Sequence, residues 1–286
     1  MAMIRSWLNG VPTQSIPVDD RGLLYGDGFF TTIAIQDSNP LLIEAHYGRL
    51  KHSANRLKII LDMSALEESL NAFLEHYMAL LVKQPRYLLK IIVTRCSAGR
   101  GYYWGENKQA NVLFQLFSYD NIEELRKKRK QGLRLAICET RLASNPLLAG
   151  LKHLSRIEQV MASGEFDRTQ YDEGLMLDSH DNVIEGCMGN IFLIQEEKVF
   201  SPKLNACGVE GVMKAEMIKN LSSSPYSYHE VSLRLDDFFQ ADAIFLTNAL
   251  LGICPVRSIQ GSSWSSVTDI EQAMIQCMQR PNIYFS

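Results

Sequence analysis

Between Leu41 and Leu61 apolar residues recur every three or four positions, so that Ile43, His46, Tyr47, Leu50, Ala54 and Leu57 share one stripe. That period predicts an amphipathic helix. Ser64 and Glu67 have the spacing of a capping box, which predicts a second helix with Leu66, Leu70, Phe73, Leu74, Tyr77 and Leu81 on its apolar face. The period then changes. Tyr87–Thr94 (YLLKIIVT) and Val112–Tyr119 (VLFQLFSY) are short runs rich in β-branched and aromatic residues, and both predict strands. The segment that joins them, SAGRGYYWGENKQA, is too long and too aromatic for a simple turn, which makes it a candidate functional loop.

Beyond a charged helix from about Asn121 to Lys130, strands are expected at Leu133–Thr140, Gly174–Asp178, Val183–Glu185, Ile191–Gln195, Lys198–Ser201 and Ala243–Thr247. Helices are expected at Leu154–Ser163, Val212–Leu221 and Val267–Gln279. Strands and helices mix without a strict βαβα rhythm, which points to an α+β fold in two domains. The boundary is expected near residue 119, with a smaller N-terminal α/β domain (1–119) and a larger C-terminal domain (120–286) built on a mixed sheet or barrel. No internal repeat or low-complexity tract interrupts this plan.

Composition narrows the class. The chain has 286 residues, 46% hydrophobic and 21% charged, with a formal net charge of -3. This is the balance of a soluble globular protein and leaves no overall basic footprint for nucleic acid. The one basic run, RKKRK at 126–130, follows Glu123 and Glu124 and suits the basic end of a solvated helix. Six scattered cysteines form no CxxC pair and no metal spacing, so reduced thiols in a cytoplasmic protein are expected, without a metal. No apolar run reaches the roughly 20 residues that span a bilayer, and MAMIRSWLNGVPTQ lacks the core of a signal peptide.

Several features could carry chemistry, each with a plainer reading beside it. Lys152 sits in GLKHLSRIEQV among Leu151, Leu154 and Leu148; partial burial would favour its neutral, nucleophilic form, whereas a lysine is by default a surface charge. In GVEGVMKAEM two glycines lead into a helix, so the N–H groups of Val212 and Met213 could face an anion or simply begin a helix. At the end of a buried-looking strand Thr247 and Asn248 could offer a hydroxyl and N–H groups to that anion or simply cap the strand. Glu185 stands in an apolar run next to a turn, buried and paired or else exposed. DDRGLLYGDGFFTT holds three glycines in seven residues, a sign of tight backbone rather than a nucleotide loop. Arg49 and Arg100 are surface residues by default, yet arginine is the preferred partner of a phosphate or carboxylate. An amine, anion-binding amides, a phosphate arginine and a lone carboxylate together match the needs of pyridoxal 5'-phosphate.

The segments DRGLLYGDGFFTT, EAHYGRL, AGLKHLSRIEQV, VIEGCMGNIF, GVEGVM and TNALLGICPV, in that order, resemble the fold-type IV pyridoxal-phosphate enzymes, the D-amino-acid aminotransferase-like fold. The family holds branched-chain and D-amino-acid aminotransferases and the 4-amino-4-deoxychorismate lyases. The resemblance implies that Lys152 is the Schiff-base lysine and that Arg49 meets the cofactor phosphate. It further implies that Glu185 meets the pyridine nitrogen, and that Val212, Met213, Asn248 and Ala249 form the phosphate cradle. It also implies a homodimer whose active site borrows SAGRGYYW from the neighbour, with Arg100 as carboxylate clamp and Tyr102 beside it. NPLLAGLKHLSRIEQV and SAGRGYYW resemble the lyase branch most, which implies 4-amino-4-deoxychorismate as the small-molecule substrate. An aminotransferase for D- or branched-chain amino acids and a non-catalytic cofactor-binding protein are the alternatives. Leu23, at the substrate side, stands where lyases can carry a threonine.

Overall fold

The computed structural model describes residues 2–97, 101–105, 109–119, 122–222 and 225–264. Arg100, the last helix expected at Val267–Gln279 and Asn121 lie outside these residues. The chain divides into two compact units, Met1–Ile122 with Lys152–Ser155, and Glu123–Leu151 with Arg156–Ser286. The short piece that holds Lys152 thus groups with the first unit, although the sequence places it in the C-terminal stretch.

The first unit contains β1 (Met3–Leu8), β2 (Val11–Pro12), α1 (Arg21–Tyr25), β3 (Gly28–Gln36), β4 (Asn39–Pro40), α2 (Ile43–Leu57), α3 (Met63–His76), α4 (Met78–Leu81), β5 (Arg86–Thr94) and β6 (Asn111–Ser118). Its sheet has the order β2-β1-β6-β5-β3-β4, and every pair is antiparallel. Leu50, Ala54, Leu66, Leu70 and Phe73 of the helices share one core with Phe29, Ile33, Leu89 and Phe114 of the sheet. The cap of α3 differs from expectation. Asp62, not Ser64, is its N-cap, and the Asp62 carboxylate accepts from the Ala65 N–H at 3.0 Å. A carboxylate at this position also suits the helix dipole.

The glycine-rich stretch is tight backbone, for steric reasons. A Cβ on Gly28 would lie 2.3 Å from the Val93 carbonyl oxygen across the β3–β5 pair. Beside it, buried Asp20 caps α1 through the Gly22 and Leu23 N–H groups and accepts from Thr94 and Asn111. Asp27 accepts from the buried guanidiniums of Arg21 (2.8 Å) and Arg95 (2.9 Å). Arg21 also donates to the carbonyls of Gly101 and Tyr102, which fastens the start of the aromatic loop to α1.

The second unit holds α5 (Ile122–Gln131, from its second residue), β7 (Leu133–Leu142), α6 (Ile157–Ser163), β8 (Glu173–Asp178), β9 (Val183–Gly186), β10 (Asn190–Gln195), β11 (Lys198–Pro202), α7 (Val212–Leu221), β12 (Ser227–Val231), α8 (Leu235–Phe239), β13 (Ala243–Asn248), β14 (Gly252–Ile259) and β15 (Ser262–Ser263). Its sheet runs β12-β11-β10-β13-β14-β7-β8-β9, with β15 beside β14. The pairs β11–β12, β14–β7 and β7–β8 are parallel and the others antiparallel, so the sheet is mixed as expected. β12 and β14 have no counterpart among the expected strands; Pro255 within GICPVRSI masks the pattern of β14. The RKKRK run is not wholly a solvated face. Arg126 and Lys128 pair with Glu123 and Glu124, but Arg129 is buried and donates to the Leu251 carbonyl. Among the described residues, no helix is long and apolar enough to cross a membrane.

His46 is the buried polar residue of the first core. It is fully buried, and its Nδ1 lies 2.6 Å from the Thr31 hydroxyl of β3. Burial, then the positive charges of Arg49 and Lys152, push its pKa down from 6.5 to about 3. The native state therefore binds this proton less readily than the unfolded state, and stability falls as pH drops from about 6.5 towards about 3. A His46→Gln variant has no such proton to exclude. Urea unfolding should show the wild-type advantage shrinking by about 1.4 kcal/mol per pH unit below that upper limit; a difference constant with pH would contradict the assignment.

Candidate active site

In the first unit the lysine segment extends the sheet. The Phe30 N–H donates to the Lys152 carbonyl at 3.0 Å and the Leu154 N–H to the Gly28 carbonyl at 2.9 Å, with Phe29 and His153 paired antiparallel. These bonds fix the backbone at the lysine carbonyl and just beyond it, around His153, to β3. Lys152 is half-buried, and its Nζ lies 4.7 Å from the centroid of the Phe30 ring. Lys90 of β5 approaches the same ring at 4.6 Å, and burial lowers its pKa. A cation on an aromatic face is attracted by the ring quadrupole, which helps to hold both amines in place. Arg49 lies three residues beyond His46 on α2, and Arg49 and Lys152 both disfavour the imidazolium there. In the first unit, then, Lys152 and Lys90 share the Phe30 ring, and neutral His46, bonded to Thr31, feels the charges of Arg49 and Lys152. Sequence reasoning missed Lys90. Its signal was present, as the one charge inside YLLKIIVT.

Leu23 lies on α1 and is 60% exposed. Tyr102, 84% exposed, packs edge-on against Tyr25 with ring centroids 5.5 Å apart.

In the second unit Glu185 lies on β9 and is 3% exposed, so the turn-exposed reading fails. A buried carboxylate needs donors. Its Oε2 accepts from the Val209 N–H at 2.8 Å and its Oε1 from Gln159 Nε2 at 3.3 Å. The half-buried guanidinium of Arg156 is close enough for the charge of Glu185 to act on it. Gln159 Oε1 is buried and has no partner among the described residues. Gln159 and Arg156 are further residues that sequence reasoning missed; both lie in the quoted lysine segment, but nothing local marks them as neighbours of Glu185.

Val212 and Met213 open α7, as expected from the glycines. Gly208 has φ +83°, a left-handed conformation that favours glycine, and a Cβ on Gly211 would fall 2.0 Å from Asn190 Oδ1. Among the described residues α7 has no side-chain cap and no acidic residue in its first turn. Its first N–H groups and the positive end of its dipole therefore suit an anion. Buried Lys214 anchors this helix through Glu210 (3.1 Å) and Glu230 (2.7 Å). On β13, against which α7 packs, the Thr247 hydroxyl is buried and has no partner among the described residues. Asn248 turns its own side chain inward: Oδ1 accepts from the Leu250 and Leu251 N–H groups at 2.9 and 2.6 Å, which shapes the turn through Ala249. Arg129 closes that turn from the Leu251 carbonyl at 2.7 Å. An uncapped helix and an orphaned hydroxyl fit a phosphate group, and a buried carboxylate held by two donors fits a cationic ring nitrogen.

The sequence profile of amino-transferase class IV matches residues 28–259. The chain is 35% identical over 253 residues to the aminodeoxychorismate lyase of Vibrio harveyi, covering 88% of this chain and 90% of that protein. It is similar in structure to the 4-amino-4-deoxychorismate lyase of Pseudomonas aeruginosa, with a TM-score of 0.87 and 36% identity over 98% of this chain and 100% of that one. The D-alanine aminotransferase of Bacillus licheniformis is 22% identical over 253 residues, covering 88% of this chain and 86% of that protein. The profile runs from the first residue of β3 to the last of β14 and takes in Lys152, Glu185 and the start of α7, and the chain belongs to the class IV amino-transferase family.

Proposed function

We propose that this protein is a pyridoxal-phosphate-dependent lyase that converts 4-amino-4-deoxychorismate to 4-aminobenzoate and pyruvate, a step towards folate. The observation that carries the reading is the setting of Lys152, a half-buried amine over Phe30 whose own carbonyl, with the Leu154 N–H just beyond it, is bonded to β3. Lysines of this kind, removed from full solvation, are suited to attack a carbonyl. The likeness to two lyases at 35% and 36% identity favours lyase over aminotransferase. A D- or branched-chain aminotransferase is the second reading, supported by the more distant D-alanine aminotransferase relative.

In this reading Lys152 bonds the cofactor and Arg49 meets its phosphate, together with the first N–H groups of α7 at Val212 and Met213 and the turn at Asn248 and Ala249. Glu185 faces the pyridine nitrogen. When bound, pyridoxal phosphate supplies an aldehyde that captures the substrate amine and an electron-poor ring that accepts the electrons released at the adjacent carbon. The chain's own work is positioning and proton transfer. Glu185, held in place by the Val209 N–H and the Gln159 amide, faces a positive charge opposite it in this reading. Lys152 Nζ takes the proton from the carbon that bears the substrate amine. Leu23 offers no group for proton transfer, so in this reading Lys152 alone, or a water, carries the second proton. Loss of the neighbouring enolpyruvyl group makes the product ring aromatic and drives the step forward. Lys90 is suited to a substrate carboxylate, since it is a partly buried cation on the ring that Lys152 also faces.

A homodimer that shares SAGRGYYW, with Arg100 and Tyr102 at the substrate, suits the exposure of Tyr102 and Tyr103 (84% and 81%). A reducing cytoplasmic setting suits the thiols of Cys138, Cys187 and Cys207, which are in no disulfide among the described residues.

Incubation with 4-amino-4-deoxychorismate should release fluorescent 4-aminobenzoate, and Lys152→Ala should reduce the rate by at least ~10²-fold, the lower range of general-base contributions. Turnover of an amino acid with a keto acid, without any 4-aminobenzoate, would sink the lyase reading. Lys90→Met should raise KM about tenfold or more and change kcat less, as expected for loss of a charged contact made before the chemistry. An unchanged KM would remove Lys90 from the substrate side.

A further inference from the structure

Residues 208–210 form a very short strand whose two edges are both occupied. On one edge the Gly150 N–H donates to the Gly208 carbonyl and the Glu210 N–H donates to the Gly150 carbonyl, both at 3.0 Å. On the other edge the Val209 N–H donates to Glu185 Oε2 at 2.8 Å, and the Val209 carbonyl accepts from Asn190 Nδ2 at 2.8 Å. Gly150 lies two residues before Lys152, and Gly211, two residues after Val209, is the N-cap of α7. One residue therefore touches, through its own backbone, the buried carboxylate and the approach to the helix. Its only side-chain donor among the described residues is Asn190.

Asn190 is built into the frame on its other sides as well. It opens β10, pairs in register with Thr247 of β13, and is 5% exposed. Its Oδ1 occupies the space that any side chain at residue 211 would need. A side chain so placed cannot rotate without leaving the Val209 carbonyl unpaired in a part-buried setting, which favours this rotamer.

We propose that Asn190 is a positioning residue for the cofactor site: by fixing the Val209 carbonyl and filling the space at Gly211, it holds the Glu185 carboxylate and the amino end of α7 in one register. The relevance to a cofactor rests on the lyase reading above; the mechanical part does not. Asn190 touches neither cofactor nor substrate in this account and acts through the Val209 peptide.

The isosteric Asn190→Asp variant keeps the volume and loses the donor, placing an acceptor against the Val209 carbonyl. Asn190→Ala loses both donor and volume and serves if the aspartate variant does not fold. Two readouts are needed on full-length protein. Amide hydrogen exchange at Val209 in the apo-protein should speed up about 10- to 100-fold, the range for loss of one buried hydrogen bond, while amides of β3 and β5 stay protected. The dissociation constant for pyridoxal phosphate, from fluorescence titration of apo-protein, should rise by a similar factor. Unchanged exchange at Val209 in a folded variant overturns the proposal. So does faster exchange with unaltered cofactor affinity, because register then has no bearing on the site. Failure of the wild-type protein to take up pyridoxal phosphate would instead sink the functional reading, with the exchange result still deciding whether Asn190 holds the strut.

Discussion

The hydrogen bond from the Val209 N–H to the buried Glu185 carboxylate is the constraint around which this part of the second unit is arranged. A carboxylate withdrawn from water must be met by donors or lose its charge. Here one donor comes from backbone, and backbone can be placed there only if the chain on either side bends as needed. Gly208 supplies the left-handed turn, and Gly211 leaves room for Asn190. From that point the chain enters α7 with its first N–H groups uncapped. Requirements that look separate in sequence, a lone glutamate, two glycines and a helix start, are therefore parts of one solution to burying one charge.

Charge is distributed differently in the first unit. Lys152 and Lys90 meet at the Phe30 ring, and a histidine is kept neutral by burial and by the charges of Arg49 and Lys152. Neutral His46 can hydrogen-bond Thr31 without adding to that charge. A phosphate together with a dicarboxylate substrate would meet positive charge here. Elsewhere in the same unit Asp27 accepts from the guanidiniums of both Arg21 and Arg95.

Much of this was legible in the sequence, and the remainder had physical reasons to be hidden. The helical stripe of α2, the strands β5 and β6, and the glycine entry to α7 all follow from local period and turn chemistry. The tight backbone at Gly28 was also visible, because three glycines in seven residues have few other causes. By contrast, the burial of Glu185 could not be decided, since its donors Val209 and Gln159 lie 24 and 26 residues away. Arg129 looked like part of a solvated basic run because its acceptor, Leu251, is 122 residues distant. Lys152 stood among leucines, but its pairing with β3 joins segments far apart in the chain. The cap of α3 went to Asp62 because Asp and Ser are both good caps, and spacing alone does not choose between them. Long-range hydrogen bonds decide the cases of Glu185, Arg129 and Lys152, and no local pattern encodes them.

All of the proposed chemistry depends on Lys152 making the covalent bond to the cofactor. The most direct measurement is borohydride reduction of the yellow protein followed by peptide mapping. The account predicts loss of the visible band and a cofactor adduct on the peptide that contains Lys152, and none in a Lys152→Ala variant. An adduct on another lysine, or a protein that forms none while retaining lyase activity, would contradict it.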